Sequence, residues 1–114
     1  MFDMINAVEK GEGWNAFFVE VVDETLKQIL KEDGAKVIYE FLENHSCLKL
    51  EEISDKPEVF SASLEMLMAS AARVIEQMIL KKLYSELGLK FEEKKGCGFP
   101  DYIKELRKSA VDKE

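Results

Sequence analysis

SDKPEVFSASLEMLMASAARVIEQMILKKLYSELGL, residues 54–89, is the stretch whose reading decides the fold. Its apolar residues Phe60, Leu64, Leu67, Ala71, Val74, Met78, Ile79, Leu83 and Leu87 recur at steps of three and four, the signature of one helical face. Such a stripe is too apolar to face water alone, so the remaining segments are expected to cover it. Asp55 with Glu58 three residues later, and Pro57 in the first turn, mark where the helix starts. Between Pro57 and Leu87 there is neither glycine nor proline, which permits one helix of about 30 residues or two joined at Ala69-Ser70, the weakest point. Gly88 closes the region.

Upstream, Phe17/Phe18, Val21/Val22, Thr25/Leu26 and Ile29/Leu30 repeat every four residues behind Asn15, which reads as an N-cap. Asp33-Gly34 is read as a break, followed by a helix that carries Val37, Ile38, Phe41 and Leu42 inward and ends near Asn44 to Ser46. Phe2, Ile5 and Val8 give one face of a short first helix before Gly11-Glu-Gly13. Downstream, Gly96-Cys-Gly98 precedes Phe99-Pro100, the first turn of a final helix that faces inward through Tyr102, Ile103 and Leu106.

The expectation is an all-α, compact single-domain bundle of five or six helices. Residues 1–13 form an N-terminal helix or arm with a glycine-containing linker, 14–108 the helical domain, and 109–114 a charged tail. Gly34-Ala-Lys-Val-Ile-Tyr39 resembles Ala71-Ala-Arg-Val-Ile-Glu76, and Leu48-Lys-Leu-Glu-Glu52 matches Leu89-Lys-Phe-Glu-Glu93 but for one aromatic exchange. Two similar helix-link-helix units are therefore expected, with the two links side by side as a minimal two-stranded contact.

The chain has 114 residues, 46% of them hydrophobic and 34% charged, a composition that folds rather than one that stays disordered. Its formal net charge of -7 repels phosphate backbones and anionic lipid, so nucleic acid is a poor candidate partner. No segment approaches the roughly 18 apolar residues of a membrane span, and no leader pattern opens the chain. A cytoplasmic protein with reduced Cys47 and Cys97 is the expectation.

Ala35-Lys-Val-Ile-Tyr-Glu-Phe-Leu42, Leu48-Lys-Leu-Glu-Glu-Ile-Ser-Asp-Lys-Pro-Glu-Val-Phe60 and Ala72-Arg-Val-Ile-Glu76 resemble a family of small archaeal helical domains, the Nitrososphaera output domains. The resemblance spans roughly Thr25 to Leu106. It implies a helical signalling or output module and carries over no catalytic residue. The family pattern favours glycine where this chain has Ala69, Ser70 and Ala71.

No catalytic constellation emerges from the residues. With one histidine and no nucleophile turn there is no Ser-His-Asp or Cys-His order to argue, and Glu51-Glu52 and Glu92-Glu93 read as solvated. His45, Cys47 and Cys97 fall short of the ligand set zinc requires without an added carboxylate, and no cofactor is expected. Cys97, between two glycines and beside Lys94 and Lys95, is a candidate redox-sensitive thiol.

Leu67, Met68, Ile79 and Leu80 make the central stripe wider than one helical face requires, and with Met78 and Tyr84 they are the candidate interface or pocket residues. The reading is a non-enzymatic interaction module, a homodimer or the binder of another protein, in signal transduction. The alternative is a small-molecule sensor with an apolar pocket between Phe41, Met66, Met78 and Tyr84.

Overall fold

The computed structural model describes residues 12–112, and these form four helices and one 3-10 turn. They are α1 (Glu12–Ser46), the turn Leu50–Glu52, α2 (Pro57–Met68), α3 (Ala71–Glu86) and α4 (Phe99–Asp112). The expected helix at Phe2, Ile5 and Val8 lies outside the described residues. No strand occurs among the described residues, and the two similar links differ: the first winds into the 3-10 turn, whereas Leu89 to Glu93 stays irregular.

The 35 residues of α1 would extend about 52 Å if straight, beyond the 36 Å longest dimension of the molecule. The helix therefore bends sharply. The bend is at Lys31 (φ 64°, ψ 178°), not at Asp33-Gly34 as the sequence suggests. It brings the Tyr39 hydroxyl to Asp23 Oδ1 at 2.6 Å, though 16 residues separate them. Gly34 serves close approach instead: a Cβ there would lie 2.5 Å from Leu30 Cβ. Burial opposes ionisation of Asp23, but the Tyr39 hydroxyl and the Lys27 ammonium outweigh it and hold its carboxyl below the ordinary range.

Asn15 is not a cap, because α1 already starts at Glu12. Its amide instead donates to the Glu51 carbonyl at 3.0 Å and accepts from Ser54 Oγ at 2.6 Å, pinning the 3-10 turn against α1. Asp55 and Glu58 likewise do not cap α2: they pair with Arg107 and Lys104 on α4. Charges placed near a helix start are recruited across the bundle when a cation on another helix comes within reach. Pro57 does open α2.

The central stripe breaks at the anticipated point. Ala69 has φ 54° and ψ -130°, and α3 starts afresh at Ala71. The break changes which residues face inward. α2 buries Phe60 and Leu64, but α3 buries Ala72, Ile75, Ile79, Leu80 and Leu83, leaving Val74 60% and Met78 40% exposed. Val37, expected inside, is 55% exposed, because Ala35, Ile38 and Leu42 are the residues of that arm that meet the core. α3 ends as read: the Leu89 N–H bonds the Tyr84 carbonyl at 2.8 Å and the Gly88 N–H that of Ser85 at 3.1 Å, with Gly88 at φ 72°.

α1 packs on α2 and α3, and α4 lies across α2 and α3 with Tyr102, Ile103 and Leu106 buried. Helix α4 continues to Asp112, past the expected tail boundary at Ser109. Phe60 and Phe99, ring centroids 5.5 Å apart, join α2 to α4 at the centre.

Candidate functional site

The six candidate residues divide between core and surface. Ile79 is fully buried and Leu80 nearly so, and Leu67, Met68 and Tyr84 are partly buried against the core. Only Met78 is open to solvent. The extra width of the stripe is thus largely absorbed by packing against α1, α2 and α4. Tyr84 meets Phe91 edge-on at 5.2 Å, and burial, then the Glu105 carboxylate, pushes its hydroxyl pKa up. Tyr84 lines a shallow cleft of about 310 Å³ against α4, whereas Met66 lines another, so the pair is not brought together in one described cavity.

An apolar groove of about 360 Å³ lies between the last turn of α1 and α2, walled by His45, Ser46, Glu58, Val59, Ala62, Ser63 and Met66. Met66 is 64% exposed, the most exposed large apolar side chain among the described residues. His45 lies parallel to Phe41 with centroids 4.9 Å apart, which extends the apolar surface along α1 towards Val37 one turn earlier. Hydroxyls of Ser46 and Ser63 bond across the floor and hold the two helices in place. Sequence reasoning missed Val59 and Ala62 because they sit beside, not on, the stripe. Their i, i+3 spacing, with Met66 one turn further, was the available signal.

A larger cleft of about 690 Å³ lies between α2, α3 and the irregular segment that precedes α4. Cys97 lines it and is exposed, as is Cys47. Among the described residues no group of three or more His, Cys, Asp or Glu side chains is placed to hold a metal ion. Glu76, half-buried here, has its carboxyl pKa raised by burial above 4.5; the Ser61 hydroxyl, 2.6 Å from Oε2, works against that rise, and the nearby Glu65 charge adds to it. An acid held up in the folded state binds its proton more tightly there than in the unfolded chain. Its favourable contribution is complete below the ordinary carboxylate value and is lost as pH rises through the raised one. Glu76→Gln is therefore expected to gain stability relative to the parent as pH goes from about 4 to about 7, measured by urea unfolding at both values. An unchanged difference would mean that Glu76 titrates as in water. The lowered Asp23 acts oppositely: its contribution is present above 3.8 and lost as pH falls through its lowered value.

Fold and surface together define, among the described residues, an all-α bundle that carries an apolar groove between α1 and α2 and a mixed-charge cleft between α2, α3 and the segment before α4. The chain matches no family model, no curated protein and no solved structure. No helix among the described residues is long and apolar enough to cross a membrane.

Proposed function

We propose that this domain is a non-enzymatic protein-interaction module that docks a partner, with a second copy of itself as the leading one, in the groove between α1 and α2. The observation that carries it is the exposure of Met66 at the mouth of a recess walled by Val59, Ala62 and His45, the last stacked on Phe41. A flexible thioether suits an adaptable contact, and an aromatic stack supplies rigid area beside it. An output role in signal transduction rests on the resemblance of roughly Thr25 to Leu106 to the archaeal output domains.

The test is native mass spectrometry and light scattering of the parent and of Met66→Glu. The parent is expected to dimerise and the variant to weaken the dimer by about tenfold or more, since a carboxylate would be driven into an apolar contact. Met66 is surface-exposed, so the variant is expected to keep the parent's helical circular dichroism. A parent that stays monomeric to high concentration would remove the second copy as partner. A dimer indifferent to Met66→Glu would remove the groove.

A further inference from the structure

We propose that the cleft between α2, α3 and the segment before α4 binds a small zwitterion, an ammonium and a carboxylate carried on an apolar body, in the class of amino acids with large apolar side chains. At about 690 Å³ the cleft lies within the usual range of ligand sites, roughly 300–1,000 Å³. It does not overlap the interaction groove: Ser61 and Glu65 face it from a line of α2 turned about 100° from Ala62 and Met66.

The charges in the lining identify the ligand class. Glu93 is held by Gln77 at 2.6 Å and Lys94 by Glu105 at 3.3 Å. Glu65, Glu76, Arg73 and Lys95 also line the cleft, and none of these four forms a salt bridge among the described residues. A simple cation entering here meets Arg73 and Lys95, and a simple anion meets Glu65 and Glu76. A molecule carrying both signs satisfies both sets at once. Glu76 accepts the Ser61 hydroxyl on Oε2, and its other oxygen has no hydrogen bond among the described residues, leaving an acceptor for an ammonium. The carboxylate falls to Lys95 on the opposite wall.

Ala69, exposed, and Pro100, half-buried, with the edges of the buried Leu80 and Phe99, supply the apolar surface for the body of the ligand. The wall opposite α3 is fixed before any ligand arrives. The Lys94 N–H donates to the Tyr102 hydroxyl oxygen at 2.5 Å, and that hydroxyl lies 3.3 Å from the Lys94 carbonyl. A wall tied to a helix in this way costs little ordering on binding.

The experiment is equilibrium dialysis of the full chain with labelled L-phenylalanine, competed by 2-phenylethylamine, which lacks the carboxylate, and by 3-phenylpropionate, which lacks the ammonium. Saturable binding is expected, with each half-molecule competing about tenfold or more weakly than unlabelled L-phenylalanine. Glu76→Gln and the exposed Lys95→Met are each expected to weaken binding about tenfold or more, the second without risk to the fold. Met66→Glu should leave this binding unchanged, which separates the cleft from the interaction groove. Absence of saturable binding, equal competition by either half-molecule, or indifference to both cleft variants would overturn the assignment.

Discussion

Phe60→Ala is expected to remove about 3–5 kcal/mol of stability, a large share of the roughly 5–15 kcal/mol typical of a small domain. Phe60 has no exposed surface, and its ring lies against Phe99, so truncation leaves a cavity where α2 and α4 meet. Ion pairs Arg107–Asp55 and Lys104–Glu58 also join the start of α2 to the middle of α4, and incomplete collapse of the helices around the void sets the size of the loss. Urea unfolding followed by circular dichroism measures the loss. A matched pair on α3 tests its register by the same method: Ile75→Ala should cost about 2–5 kcal/mol, and Val74→Ala no more than about 0.5 kcal/mol. Were Val74 the costlier position, the stripe would run unbroken from α2, and the architecture described above would be wrong.

Glycine should stabilise the chain at the two places where the backbone turns against its side chains. Ala69 (φ 54°, ψ -130°) and Lys31 (φ 64°, ψ 178°) adopt conformations that cost a residue with a Cβ about 1–3 kcal/mol. Glycine removes that cost while adding some freedom to the unfolded chain. The net expectation for Ala69→Gly and for Lys31→Gly is a gain of about 1 kcal/mol each, near 4 °C in melting temperature for a domain of this size. The sign is what matters. Inside a continuous helix the same replacements lower stability by roughly 0.5–1 kcal/mol, so a lower melting temperature would rule out the break concerned.

Much of the helix arrangement was legible because it rests on local chemistry. Pro57 before an apolar run, the fourfold repeat from Phe17 to Leu30, Gly88 after Leu87 and Phe99-Pro100 each fix an element through backbone geometry or periodicity alone. The inward faces of α2 and α4 followed in the same way. Asn15, Asp55 and Glu58 were legible only as polar residues near a helix start. Their partners, Ser54 and Glu51 for the first and α4 cations for the others, come from distant sequence, and no local rule selects them.

The candidate sites were harder to read for a related reason. Cys97 was singled out for its flanking glycines and lysines, but the cleft it lines is formed by α2, α3 and α4 together, and none of its walls is visible in one segment. Glu76 carries no local signal that sets it apart in the sequence. Its half-burial and its neighbour Glu65 arise only when α3 folds back beside α2.

By itself the sequence determined an all-helical chain, the positions of most helix ends, and the weak point at Ala69-Ser70, because these depend on neighbours within a turn or two. Tertiary structure decided which residues of α3 face inward. A 3.6-residue period specifies a face only while the helix is continuous, and once Ala69 leaves the helical region packing sets the phase anew: Ala72 and Ile75 go inside in place of Val74 and Met78, while Ile79 and Leu83 of the original stripe stay buried. It also decided that α1 bends at Lys31, since a 35-residue helix fits within a molecule 36 Å in its longest dimension only by bending.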